Sequence, residues 1–320
     1  MTATPGKPAS TIPSEAEVLG YAKTLSNWGR WGTSDERGAL NLITEAKRKE
    51  AMALAKRGQV ISLAWDIDPA GTGPDVKAQP QRYMLRTGQG AAEGEHPERQ
   101  IACAEFTGLV FHGRRITHLD SPAHIVYEGK MYNGHAGAFV NSERGAERNA
   151  VTNARDGIVT RGILIDAPRH RGVPWLEPGD GVHLEELEDI LDEAHIQVRH
   201  GDALLLRTGY GRSRIEQGPK FDGRQAGWGA ACLPFFKEKG VSIIGCDTSG
   251  EMHPSGYKNF RGPIHGIGIA AIGLWLLDNC QLEDLAKACD TNKAWEFALV
   301  LAPLPFIGAT GSAMNPLALL

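Results

Sequence analysis

An α/β fold is predicted by the second half of the sequence, in which apolar strand-like segments alternate with helical segments. Residues 162–166 and 203–208 have the pattern of strands, and between them leucines recur at helical spacing as far as Glu193. A further helix at 230–239 leads into a strand at 241–246. The strand at 203–208 is continuously apolar, which is typical of strands covered on both faces. We therefore expect a sheet flanked by helices.

The other predicted elements follow from capping and turn signals. The capping box Ser14-x-x-Glu17 opens a helix, and Gly58 closes a second one. Residues 69–97, dominated by Gly, Pro, Gln and charge, are predicted to be a long irregular excursion. Glu-Gly and Asn-Gly steps within 127–134 predict a hairpin. The remaining predictions are helices at 15–26 and 44–57 and strands at 60–65, 103–119 and 297–301.

The composition bounds the classes of protein that fit. A chain of 320 residues with 42% hydrophobic content and no internal repeat predicts one large domain, 14–320, after a disordered lead-in, 1–13. The net charge is −4 without a basic stripe, which argues against a nucleic-acid partner. The run 264–277 is apolar but too short and too rich in glycine to span a membrane. The five cysteines lack Cys-x-x-Cys spacing, which disfavours disulfides and favours a reducing cytoplasm.

The stretch 117–124 carries the strongest chemical signal. In an extended segment alternate side chains share a face, so His118 and Asp120 point the same way and can hold a divalent cation together. Pro122 cannot donate to a strand ladder, so the strand should end there and leave His124 on a turn nearby. Taken alone, a His-x-Asp pair is more often a surface pair or a hydrogen-bonded turn.

Three features later in the chain would have a functional role only if a bound metal requires further ligands. Asp247 and Glu251 follow a predicted strand, at the edge where α/β proteins bind ligands, and either could orient water or a metal ligand, although Asp-Thr-Ser-Gly is also an ordinary turn. His265 precedes a Gly-x-Gly-x-x-Ala pattern, but turn formers stand where a nucleotide-binding strand should be, so a nucleotide site is rejected. Asp278 follows an apolar run and is otherwise a cap or turn residue.

The segment 27–35 is rich in tryptophan and glycine and has two interpretations. It is either a loop pinned by buried indoles or a lid that places Trp28 and Trp31 against a flat, ring-containing ligand.

Residues 114–124 resemble the motif His-x-Gly-Thr-His-x-Asp-x-Pro-x-His of the metal-dependent cyclase-type hydrolases, which include kynurenine formamidase and isatin hydrolase. The two histidines, the aspartate, Thr117 and Pro122 match, whereas Arg114 replaces the first histidine and Ile116 the glycine. His265 and Asp278 resemble the late ligand pair of the family, with Asp in place of the commoner Glu. The segment 31–43, the Tyr-Asn-Gly step at 132–134 and the Gly-x-Thr-Gly-Ser ending are similar to a long subgroup that contains a trans-dienelactone hydrolase.

The resemblance implies a single domain with a mixed β-sheet core of the swivelling β/β/α type. It also implies a small-molecule substrate, a homodimer or homotetramer, and His124 as the acid–base residue. Nitrogen and oxygen ligands without thiolate suit Zn²⁺ or Mn²⁺. The implied metal ligands are His118, Asp120, His265 and Asp278. The candidate substrate-binding residues are Trp28, Trp31, His112, Tyr132, Asn133 and Asp247.

The departure at Arg114 favours a single metal ion or a compensating ligand. If the segment is a strand, His112 has the same parity as Arg114 and His118 and reaches the same face. A ligand role and a packing role for His112 are both open.

The sequence therefore predicts a metal-dependent hydrolase of a small amide or lactone. Two alternatives remain. One is a lyase or cyclase that uses the same metal as a Lewis acid. The other is a non-catalytic binding protein in which Arg114 marks the decay of the metal site.

Overall fold

A computed structural model describes residues 12–71, 78–90, 94 and 100–320, so nearly all of the predicted lead-in lies outside the described residues. The strands are β1 Val60–Ser62, β2 Gln81–Arg86, β3 Ala104–Gly108, β4 His118–Asp120, β5 Val140–Asn141, β6 Gly145–Ala146, β7 Ile158–Asp166, β8 Gly181–Val182, β9 Ala203–Arg207, β10 Gly227–Trp228, β11 Ile243–Cys246, β12 Trp275–Asp278, β13 Glu296–Leu301, β14 Gly311–Ala313 and β15 Leu317–Leu319. The helices are α1 Glu15–Thr24, α2 Glu45–Met52, α3 Ala167–Arg171, α4 Leu184–Glu193, α5 Tyr210–Gln217, α6 Leu233–Glu238 and α7 Glu283–Asn292, with a π-helical segment at Ile264–Ile272.

Within the described residues, nine strands form one mixed sheet in the order β1-β15-β13-β7-β9-β11-β12-β4-β14. The four central strands, β7, β9, β11 and β12, are parallel to one another. The strands that flank them on both sides pair antiparallel. The mixed sheet and the single α/β domain expected from the resemblance are thus present.

Helices cover both faces of the central sheet. Successive residues of β9 alternate between two cores: Leu204 and Leu206 pack with α4 and α6 on one face, and Ala203 and Leu205 pack with α7 on the other. All five residues of β9 are buried, as its continuous apolar sequence predicts.

The predicted helix starts are confirmed. The Ser14 side chain accepts from the Glu17 backbone N–H, and the Glu17 carboxylate accepts from the Ser14 N–H, so both halves of the capping box are formed. Helix α4 spans the predicted residues. Helix α2 begins after its cap Thr44 but ends at Met52, earlier than the predicted 57.

Several predicted boundaries are wrong. The strand predicted at 60–65 is shorter than expected, since only β1 forms. It lies at the edge of the sheet, where Val60 is exposed. The excursion 69–97 contains β2, which pairs with β3 in an exposed two-stranded ribbon. The predicted strand 103–119 is interrupted between β3 and β4 by a bend.

The N-terminal loop is anchored to the π-helical segment that carries His265. The backbone N–H of Asn27 donates to the Ala271 carbonyl oxygen (2.9 Å), and the Asn27 side chain donates to that of Ile272 (2.8 Å). The Trp28 indole N–H donates to the carbonyl oxygen of Ala270 (2.7 Å). These bonds fix the segment against the body of the domain.

The five cysteines are free thiols, and only Cys103 is exposed. In the described part of the chain, no helix has the length and apolarity needed to cross a membrane.

Candidate metal centre

Two neighbouring strands place three of the predicted ligands side by side. Strand β12 runs antiparallel to β4, and their register sets Asp278 directly opposite His118. Asp120 lies two residues further along β4, so its side chain shares the face of His118. Directly opposite residues on one face lie close enough for their side chains to touch. The sheet register thus assembles a ligand group that the sequence distributes over 160 residues.

Four imidazole nitrogens surround the Asp120 carboxylate. Its Oδ1 lies 2.9 Å from Nδ1 of His112 and 3.4 Å from Nε2 of His118. Its Oδ2 lies 3.6 Å from Nε2 of His124 and 3.6 Å from Nε2 of His265. Nε2 of His265 is also 3.4 Å from Oδ2 of Asp278.

Among the residues that the structure describes, the cluster contains two groups of three side chains that could each hold a metal ion. One is formed by His112, Asp120 and His124, and the other by His118, Asp120 and Asp278. In each group the ligand atoms lie within 4.8 Å of one another. Asp120 belongs to both groups.

The state of Asp120 is unusual for a buried acid. The residue is fully buried, yet neither carboxylate oxygen accepts a hydrogen bond from the described residues. Burial opposes its charge, but His124, His118, His112 and His265 outweigh burial and hold the pKa of Asp120 well below its usual range. A buried carboxylate without donors is costly unless a cation compensates it.

Two of the imidazoles have a second partner at Nδ1, which orients Nε2 toward the acids of the cluster. Nδ1 of His118 lies 2.8 Å from the carbonyl oxygen of Ile116, which can only accept, so Nδ1 carries the proton and Nε2 presents a lone pair. Nδ1 of His265 lies 3.0 Å from Oε1 of Glu251. Metal-bound histidines commonly have such a second partner.

The histidines differ in protonation. Burial lowers the pKa of His124 to about 4, so its imidazole is neutral near pH 7 and can accept a proton. Burial also opposes charge on His265, but Asp120, Asp278 and Glu251 outweigh it and raise the pKa of His265 well above its usual value.

His112 lies in the cluster, but strand parity is not the reason. Residues 111–116 bend and are not a strand, so the parity argument does not apply. The His112 ring instead stacks on that of His124, with centroids 4.0 Å apart and planes at 11°, and its Nε2 lies 3.0 Å from Oγ1 of Thr310. Arg114 does not enter the cluster, because its guanidinium lies 3.7 Å from the ring centroid of Phe221.

Asp247 is placed away from the cluster. Its carboxylate accepts from the backbone N–H groups of Thr208, Gly209 and Tyr210 and from the Thr208 hydroxyl. It thereby holds the start of α5. The carboxylate that orients His265 is instead that of Glu251, four residues further on.

The remaining predicted substrate contacts do not line the cleft above the cluster. Trp28 contacts the π-helical segment, and Arg30 lies over the Trp31 ring. The Tyr132 hydroxyl donates to Asp35, and the Asn133 amide donates to the carbonyl oxygens of Gly32 and Asp35. Trp28, Tyr132 and Asn133 thus anchor the N-terminal loop, whereas Trp31 contacts Arg30 within that loop.

The cleft also contains residues that sequence reasoning did not select. Among them are His253 and Arg261, which lie in the loop between β11 and the π-helical segment. Only their position in the chain could have indicated this role, because loops that follow the carboxyl ends of parallel strands commonly line ligand sites.

The residues present fit a divalent cation. Asp120 and Asp278 have buried oxygens without hydrogen-bond partners in the same cluster as the imidazole nitrogens, and this donor set of nitrogen and oxygen suits Zn²⁺ or Mn²⁺. The fold and the cluster together define an α/β protein with a candidate metal centre at one edge of its parallel strands. The chain belongs to the Cyclase family, whose profile matches residues 61–250. This confirms the resemblance seen in 114–124.

Solved structures agree with this assignment, whereas no curated protein matches the chain. A crystal structure described as that of a novel cyclase is similar over 93% of this chain and 100% of its own, with a TM-score of 0.84 and 29% identity. Isatin hydrolase A from Labrenzia aggregata, bound to benzyl benzoate, is similar over 86% of this chain and 98% of its own (TM-score 0.59, 17% identity). Isatin hydrolase A from Ralstonia solanacearum covers 84% of this chain and 95% of its own (TM-score 0.58, 17% identity).

Proposed function

We propose that this protein is a metal-dependent hydrolase that cleaves a small amide or lactone. The observation that carries the proposal is Asp120, a fully buried carboxylate surrounded by four imidazole nitrogens, with no hydrogen bond of good geometry from the described residues. Family membership supports it, and so does the shared fold with isatin hydrolases, which by name cleave a cyclic amide.

His118, Asp120, His265 and Asp278 would hold the ion, with His112 as a further candidate. When bound, a Zn²⁺ or Mn²⁺ ion supplies Lewis-acid chemistry, which polarises a carbonyl and lowers the pKa of water from 15.7 toward about 7. Glu251 keeps His265 oriented through its Nδ1.

His124 is the best-placed proton carrier. About a quarter of its side chain is exposed, against 2% for His118, so it has access to the cleft while touching the cluster. Its lowered pKa leaves it neutral. It takes a proton from the attacking water and returns it to the leaving nitrogen or oxygen, a role typically worth about 10²–10⁴ in rate.

The test combines metal analysis with a substrate panel. Purified protein is assayed for bound zinc and manganese, and hydrolysis is measured on formamides, cyclic amides and lactones before and after chelation. We expect a stoichiometric metal, loss of activity on chelation and recovery on re-addition. Full activity in metal-free protein would refute the proposal. Absence of metal and of retention on re-addition would instead favour a non-catalytic binding protein.

A second candidate function is elimination or cyclisation, which the family name and the similar cyclase structure favour. The same residues would serve, with His124 removing a proton from carbon. Reaction in ¹⁸O-labelled water separates the two candidates, because hydrolysis places label in the new carboxylate and elimination does not.

Self-association into a homodimer or homotetramer is also proposed, on the family resemblance alone. Sedimentation at several concentrations measures it directly.

A further inference from the structure

Two arginines line the cleft above the candidate metal centre without an anionic partner. Arg114 and Arg261 both contribute to its wall. Among the described residues, no carboxylate lies within ion-pair distance of either guanidinium, and Nε of Arg114 is buried without an acceptor. An unopposed pair of this kind favours an anion.

The carboxylates of the cleft contact other groups and do not pair with these arginines. Asp120, Glu251 and Asp278 are the acids among its lining residues. Glu251 accepts from the backbone N–H groups of Ile264 and His265, and the other two face the imidazoles. The cleft therefore has an acidic metal-binding part and a separate, uncompensated cationic part.

A side cavity of about 170 Å³ opens next to this cationic part. Arg114 and Ser249 line both the cavity and the cleft, so the two spaces adjoin there. Trp175, Tyr210 and Phe221 give the cavity aromatic walls, and the cationic side chains of Lys220 and Arg224 line it as well. Its one lining carboxylate, Glu177, forms no ion pair with the described arginines.

We propose that Arg114 and Arg261 bind a carboxylate of the substrate, separate from the carbonyl that is cleaved. The substrate class is then a carboxylate-bearing lactone or amide, whose reacting carbonyl lies at the metal centre while its apolar body enters the side cavity. The inference rests on the proposed hydrolase function. The inference assigns Arg114 a role in substrate binding, whereas the sequence comparison indicated only that Arg114 replaces a metal-binding histidine.

The kinetic test uses matched acid and neutral substrates on metal-loaded protein. The lactone pair is 5-oxotetrahydrofuran-2-carboxylate and its carboxamide, and the amide pair is 2-formamidobenzoate and 2-formamidobenzamide. We expect kcat/KM to favour the acid in each pair that is cleaved. Arg114→Gln and Arg261→Gln should each lower the acid-to-neutral ratio by about 10- to 100-fold, the range expected for a charge-assisted hydrogen bond.

Three further variants control for folding and net charge. Arg114→Lys and Arg261→Lys keep the charge and should retain part of the preference for the acid. Arg144→Gln removes an exposed arginine that does not line the cleft, and should leave the ratio unchanged. Arg261 is exposed, so its variant keeps the test valid if Arg114→Gln fails to fold. Equal rates for acid and neutral substrates, or ratios unaffected in both glutamine variants, would overturn the inference.

A binding measurement separates failure of this inference from failure of the hydrolase proposal. Calorimetry compares glutarate with glutaramate, which share one carboxylate and differ in charge at the other end. Even if no substrate is cleaved, both glutamine variants should bind glutarate more weakly than the parent protein does. An affinity for glutarate that is unchanged in both glutamine variants would refute carboxylate recognition by the arginines.

Discussion

Asp120 is the residue that both potential metal-binding groups share. It is enclosed, it lacks hydrogen-bond donors among the described residues, and four imidazoles face it. The neighbouring histidines are therefore distinguished by exposure and by their second partners. His118 is buried with Nδ1 tied to a carbonyl oxygen, whereas His124 is partly open to the cleft.

We predict that His118→Ala loses metal and activity together. His124→Ala should keep its metal, while kcat falls by about 10²–10⁴ because the proton carrier is removed. Metal content by mass spectrometry and initial rates on the same preparations check this. If His124→Ala also lost its metal, His124 would be a ligand, as its place in one of the two groups allows.

For His112, two substitutions separate a ligand role from a packing role. His112→Ala removes both the nitrogen near Asp120 and the ring stacked on His124, whereas His112→Phe keeps a ring. If His112 is a ligand, both variants should lose metal affinity by at least about tenfold, since even outer-shell partners are worth 10–100-fold. Retention of affinity in His112→Phe alone would assign His112 to packing. Metal titration measures the outcome.

The raised pKa of His265 predicts that metal affinity increases with pH. In the metal-free protein the three nearby carboxylates keep His265 protonated at neutral pH, and a bound ion must displace that proton. Below the pKa of His265, affinity should thus fall as pH falls, with about one proton released per ion from this residue. Calorimetry in buffers of different ionisation enthalpy counts the protons. His265→Gln should reduce the count, and a count unchanged by that substitution would contradict the assignment.

At the scale of elements, the register of β4 on β12 and the loop after β11 determine which acids reach the cluster. Asp278 ends β12 opposite His118, and Glu251 follows β11 at the same edge of the sheet. Asp247 was the acid predicted from sequence to contact substrate, but its oxygens are occupied by the start of α5.

Asp247→Ala should therefore destabilise the fold. The substitution leaves the buried N–H groups of Thr208 and Gly209 unsatisfied, which costs about 2–4 kcal/mol in total. Urea unfolding of the metal-loaded protein measures the loss, with the surface variant Arg144→Gln as a control. Unchanged stability combined with lost activity would restore the substrate-contact role that the sequence suggested.

For the molecule as a whole, the nine-stranded sheet and two helical layers of the described residues hold the metal centre. Removal of the ion should lower the free energy of unfolding of the entire domain, because it leaves the charge of Asp120 buried without a compensating cation. Binding at 100 times the dissociation constant stabilises the folded state by about 2.7 kcal/mol.

Chelation should accordingly lower the Tm by several degrees, and re-addition of Zn²⁺ or Mn²⁺ should restore it. Differential scanning calorimetry checks this. His118→Ala provides the matched control, since its Tm should not respond to metal. An equal response in parent and variant would place the stabilising ion elsewhere.

Local patterning and capping are sufficient to predict the alternation of strands and helices, the buried parallel core and the His-x-Asp motif. The sequence also singled out His265 and Asp278, but only through family resemblance.

Tertiary packing determines which of these residues meet. The pairing of β12 with β4 brings Asp278 to His118, and a bend rather than a strand brings His112 to Asp120. The same packing turned Asp247 into a structural cap and left Arg114 facing the cleft. Register and loop conformation depend on contacts between residues far apart in the chain, which no local pattern contains.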